Sequence, residues 1–170
     1  MSRYSRLVIR ALDSMHDRKS FNSGSQPLDD YLQKQASQDV RRRISRVFVA
    51  SPEGYDNEVV GYYTLSSLSI AQLQLPQTHV HKLPRHPIPA ALIGRLAVDQ
   101  SAQGNGVGAL LLLSADAINR TLAVSHDIAI YAMVVDAINN EAQQFYQYFG
   151  FTKFSSESNR LFLPLKGIQV

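Results

Sequence analysis

The chain has no cysteine among its 170 residues. Thiol nucleophiles, disulfides and cysteine-ligated zinc are therefore excluded, and the chain gives no redox address. A long apolar run is also missing. Residues 1–10 lack the apolar region of a secretory leader, and the purest aliphatic run, 109–113, is far too short to span a bilayer. The expectation is a cytoplasmic protein with no membrane partner. His79 and His81 lack a third spaced ligand, so no metal is expected. Acid is scarce in two stretches: Lys34, Arg41, Arg42, Arg43 and Arg46 face only Asp39, and the run from His79 through Lys82 and Arg85 to Arg95 contains no acid. With a net charge of only +3, these clusters matter more than the total. Such clusters suit nucleic-acid phosphates, and they also suit solvated helix ends.

What is present is ordinary for a globular protein: 45% hydrophobic and 18% charged residues, in a length that fits one domain over 1–170. Leu28, Tyr31, Leu32 and Ala36 make one apolar face on a helix predicted over 27–42, with Pro27 in its first turn. β-Rich runs at 47–50 and 59–65 flank a turn and predict a hairpin. Prolines and histidines in 75–89 argue against a regular helix or central strand there. The remaining pattern predicts a strand ending near 98, a helix over 107–120, a strand over 128–135, a helix capped by Asn139, and a terminal hairpin.

The stretch Gln103-Gly104-Asn105-Gly106-Val107-Gly108 lies between that strand and the Leu-rich helix. A strand, glycine turn and helix start offer several backbone N–H groups to an anion. The hexapeptide alone is equally compatible with a tight connection. It does not fit a Walker loop, because Ala109 and Leu110 follow Gly108, and its glycine spacing does not fit a dinucleotide turn.

Gln-x-x-Gly-x-Gly at 103–108, the apolar strand 92–99 before it, and Asn139-x-x-Ala142-x-x-Phe145-Tyr146-x-x-x-Gly150-Phe151 after it together resemble the GCN5-related N-acetyltransferases (GNAT). The resemblance implies an α/β (α+β) fold, a mixed and mostly antiparallel sheet with helices on both sides, and acetyl-CoA as cofactor. It implies main-chain pairing of Leu96, Ala97 and Val98 with the pantetheine arm. Amides of Gln103, Gly104, Asn105, Gly106, Val107, Gly108 and Ala109 would hold the pyrophosphate, and Asn139 would contact the arm. Tyr146 is implied as the general acid for the departing thiolate. Many relatives carry a glutamate base on the strand before the loop, whereas here Ile93 to Val98 carries Arg95 as its only charged side chain. An acceptor that is already partly neutral, such as an α-amino group near pKa ~8, suits that absence.

Across nearly the whole chain, Phe21-x-x-Gly24-x-x-x-Leu28-x-x-Tyr31-Leu32, the arginine run, Gly61-Tyr62-Tyr63 and Gly94-Arg95-Leu96-Ala97-Val98-Asp99 are similar to the acetyltransferase toxins of bacterial toxin-antitoxin pairs. That resemblance implies acetylation of the α-amino group of aminoacyl-tRNA and a block of translation. It also implies a ribbon-helix-helix antitoxin, a homodimer, and no direct DNA binding without the antitoxin. Lys34, Arg41, Arg42, Arg43, Arg46, Arg85 and Arg95 are the residues expected to meet tRNA. The alternatives are an acetyltransferase for a small amine or protein N-terminus, and a non-enzymatic CoA-binding co-repressor.

Overall fold

The computed structural model describes residues 3–71, 87–112 and 116–167. In chain order the elements are β1 (Leu7–Ala11), α1 (Gln26–Asp30), a π-helical stretch (Tyr31–Gln35), α2 (Ala36–Arg41), β2 (Arg46–Pro52), β3 (Gly61–Ile70), β4 (Ile88–Ile93), β5 (Leu96–Val98), a 3-10 turn (Gln100–Ala102), α3 (Val107–Leu112), α4 (Ala117–Val124), β6 (Ala132–Asp136), α5 (Asn140–Tyr148), β7 (Thr152–Lys153) and β8 (Arg160–Pro164). The strands form a mixed, mostly antiparallel eight-stranded sheet. Among the described residues no helix is long and apolar enough to cross a membrane.

The chain forms two compact units. The first comprises residues 1–66 and 94–118. Here β2 pairs with β1 and β3, and β3 also pairs with β5, all antiparallel. Alternation sorts the side chains by face. Val47, Val49, Tyr62 and Ala97 pack against Leu28, Tyr31, Leu32 and Ala36, so the predicted apolar stripe is the one that is buried. On the other face Phe48 stacks on Tyr63 at 5.3 Å. A Cβ on Gly61 would meet Leu111 at 2.9 Å and Val107 at 3.2 Å, so the absence of a side chain lets α3 sit directly on β3. Helices therefore cover both faces of this part of the sheet.

The second unit comprises residues 67–93 and 119–170. Parallel pairing of β4 with β6, from Ala90 opposite Ala132 to Ile93 opposite Val135, is followed by the antiparallel β6–β8 and β7–β8 pairs. Ile70, Ile88, Ala90, Ala132, Val134, Phe154 and Phe162 form its core.

Several sequence expectations are corrected. The single strand expected over 92–99 is two strands, broken at Gly94-Arg95. β4 also draws in the end of the proline segment, because Pro89 lacks only an N–H: its carbonyl still accepts from Tyr131 N at 2.9 Å. The strand expected from 128 begins at Ala132, since the Ile128 amide is held by Val124 in the turn that ends α4. The helix expected over 27–42 contains a π-helical turn, and α4 runs beyond 120 to Val124. Arg85, with His79, His81, Lys82 and His86, lies outside the described residues.

Candidate active site

Among the described residues β5 is hydrogen-bonded to a strand on one side only. Asp99 N donates to Val60 O at 2.9 Å and Thr64 N to Arg95 O at 3.0 Å, so residues 95, 97 and 99 turn their main-chain groups toward β3. Ala97 is thus committed to Tyr62. Leu96 and Val98 turn theirs to the free edge, where an extended amide-bearing chain could add as a further strand. The Val98 carbonyl is already occupied: Gln103 Nε2 donates to it and to Ser23 O, each at 2.9 Å. Gln103 therefore acts with its side chain as a fastener, while its backbone amide closes the 3-10 turn by donating to Gln100 O at 3.4 Å.

Asp99 tightens the approach to the turn. Its carboxylate accepts from Asn22 N at 2.8 Å and Ser101 N at 3.0 Å, capping the 3-10 turn, and it forms no ion pair with Arg95. Beyond it, residues 103–106 are exposed, with φ of +84° at Gly104 and +75° at Gly106. Among the described residues nothing lies within 4 Å of a Cβ built on either glycine, which leaves room for a pyrophosphate-sized anion at the turn. Val107, Gly108 and Ala109 follow as the first residues of α3. Together the free β5 edge and open turn fit the pantetheine and pyrophosphate parts of acetyl-CoA.

In the second unit, Asn139 caps α5, its side-chain oxygen accepting from Ala142 N at 2.8 Å. Asn139 is exposed, standing before the helix, whereas Tyr146 near the far end is 4% exposed. The Gly150-Phe151 ending explains how the tyrosine is held. Gly150, at φ +97°, donates to Gln147 O at 3.0 Å, and Phe151 N donates to Tyr146 O at 3.1 Å. This is a Schellman cap, whose apolar contact places Phe151 edge-on to the Tyr146 ring at 5.7 Å; Phe145 meets the ring at 5.4 Å.

Burial pushes the Tyr146 hydroxyl pKa up, and the Asp136 charge adds to this. Asp136 itself is held by Arg160 through bonds of 2.7 and 2.9 Å. Among the described residues nothing hydrogen-bonds the Tyr146 hydroxyl, and no buried side-chain oxygen there lacks a partner.

The basic residues divide. Lys34 pairs with Asp30 at 3.5 Å, and Arg46 lies 6.0 Å over the Phe48 ring. Arg41, Arg42 and Arg43 are exposed at the end of α2 and form no ion pair among the described residues. Arg43 has φ +59°, a left-handed position where glycine is usual. Arg95 is half-buried, its guanidinium 3.6 Å over the Tyr31 ring.

The profile of the acetyltransferase (GNAT) domain matches residues 43–153. The chain belongs to the GNAT acetyltransferase family. A tRNA-acetylating toxin of Mycobacterium tuberculosis is 38% identical to this acetyltransferase over 166 residues, covering 98% of this chain and 95% of that protein. Among solved structures, AtaT complexed with acetyl-methionyl-tRNA has a TM-score of 0.85 at 32% identity, covering 95% of this chain and 96% of that one. A tyrosine-to-phenylalanine variant of AtaT, bound to the C-terminus of the antitoxin AtaR and acetyl-CoA, has a TM-score of 0.79 at 30% identity and covers 94% of each chain.

The Tyr31 and Arg95 contact, the Gln103 fastener and the main-chain sorting of β5 had no signal in the sequence. Each depends on residues brought together from distant positions.

Proposed function

We propose that this acetyltransferase transfers acetyl from acetyl-CoA to the α-amino group of aminoacyl-tRNA, acting as a translation-blocking toxin with a ribbon-helix-helix antitoxin and as a homodimer. The carrying observation is that an exposed arginine run, without an ion pair among the described residues, shares one unit with the open strand edge and glycine turn. The substrates named for the tRNA-acetylating and AtaT relatives support the same reading.

Acetyl-CoA supplies the acetyl group as a thioester. In the first unit the amide-bearing arm is oriented by Leu96 and Val98 and the pyrophosphate by the amides of 103–109; in the second, Asn139 is the residue that the family resemblance assigns to the arm. Tyr146 holds a proton at Oη for the departing sulfur. No side chain needs to act as base, because an α-amino group near pKa ~8 has a sizeable neutral fraction at pH 7.

Incubating bulk charged and uncharged tRNA with the protein and acetyl-CoA, followed by mass spectrometry, tests this. Acetylated aminoacyl ends on charged tRNA alone are expected; labelling of only small amines, or of nothing, overturns the reading. Gly106→Ala tests the cofactor loop. With no atom within 4 Å to clash, the cost is the positive φ, on the order of 1–2 kcal/mol. Titration calorimetry should show weakened acetyl-CoA binding, and unchanged affinity would remove the turn from the site.

A further inference from the structure

The Arg95 guanidinium is the open end of an aromatic column. Phe21 packs edge-on to Tyr62 at 5.6 Å, Tyr62 stacks on Tyr31 at 6.4 Å, and Arg95 lies 3.6 Å over the other ring. The column is anchored by hydroxyls: Tyr62 donates to Leu28 O at 2.6 Å, and Tyr31 donates to Asp39 Oδ2 at 2.8 Å. Asp39 is fixed in turn by Gln35 Nε2 at 3.0 Å. Burial first, then Asp39, pushes the Tyr31 hydroxyl up to about 12, so it remains a donor at neutral pH.

A guanidinium stacked on an aromatic face keeps its edge donors free for an anion. Among the described residues no side chain forms an ion pair with Arg95, although the nearby Asp39 carboxylate feels its charge. Its place on the strand then decides which anion it meets. A cofactor arm laid along β5 with its pyrophosphate at the glycine turn has its thioester toward Leu96, beside Arg95. The guanidinium therefore stands at the acceptor's end of the strand.

We propose that Arg95 binds the phosphodiester nearest the reacting amine of the aminoacyl-tRNA, and that Tyr31, steadied by Asp39, is the positioning residue that holds Arg95 for it. The inference rests on the aminoacyl-tRNA reading. A bidentate guanidinium–phosphate contact orients a flexible acceptor end, so its loss falls on acceptor binding before chemistry.

Steady-state kinetics on bulk charged tRNA, and on the ethyl ester of the amino acid it labels, test this with Arg95→Ala, Tyr31→Leu and Tyr31→Phe. Arg95→Ala and Tyr31→Leu should raise KM for charged tRNA roughly tenfold or more. Their kcat/KM on the phosphate-free ester and their KM for acetyl-CoA should stay unchanged. Tyr31→Phe, which keeps the ring, should recover most of the tRNA affinity. An unchanged tRNA KM in Arg95→Ala, or an equal loss on both acceptors, overturns the role of Arg95; Tyr31→Leu behaving as wild type overturns that of Tyr31. Failure of the wild type to label charged tRNA at all defeats the broader reading, and this inference with it.

Discussion

Tyr146→Phe is expected to lower acetyl-transfer turnover by roughly 10²- to 10⁴-fold, the usual contribution of a positioned acid, with acetyl-CoA affinity near that of the wild type. The substitution removes one oxygen and keeps the ring, so the Schellman cap and the contacts with Phe145 and Phe151 persist. A thermal melt should therefore be nearly unchanged, which separates chemistry from stability. Burial raises the phenol pKa because a phenolate would be poorly solvated among those rings. The same surroundings make an expelled thiolate a stronger base, which narrows the mismatch between donor and acceptor. Because the shift is upward, the proton is retained below the ordinary phenol value, and this group should cause no alkaline loss of turnover below about pH 10. Single-turnover assays beside a coenzyme titration provide the measurement; unchanged turnover excludes Tyr146 as the acid.

Reversing charge at Arg41, Arg42 and Arg43 to glutamate should weaken charged-tRNA use by several orders of magnitude at low salt and flatten its salt dependence, while acetyl-CoA binding is retained. Each lost phosphate contact removes close to one unit from the slope of log affinity against log salt, so up to about three units are at stake. Arg43 permits a finer test. A non-glycine residue at left-handed φ is disfavoured by about 1–2 kcal/mol, so Arg43→Gly should melt no lower than the wild type while binding tRNA less well. Equal affinity in the triple variant would make the run a helix-end feature only.

Much of this was legible from local pattern. The stripe Leu28, Tyr31, Leu32 and Ala36 is buried as its periodicity required, and Asn139 caps the helix that follows it. The strand break at Gly94-Arg95 was hidden, because 92–99 reads as one apolar run and only pairing with different partners divides it. Pro89 misled by composition: a missing donor excludes a residue from some ladder positions and leaves others open. The Arg95 column was invisible, since Phe21, Tyr31, Tyr62 and Arg95 are separated in sequence and meet only through packing and strand pairing. Tyr146 lay between: its residue type was visible in the motif, whereas the Gly150-Phe151 clamp on its ring required three dimensions.

The double grip of the Gln103 amide on Ser23 and Val98 bears on the thermodynamics of cofactor capture. A glycine-rich segment left loose would have to surrender backbone freedom at each encounter, at about 1–2 kcal/mol per residue immobilised. Here one end of the turn is immobilised before the ligand arrives, so that part of the ordering entropy has already been lost during folding.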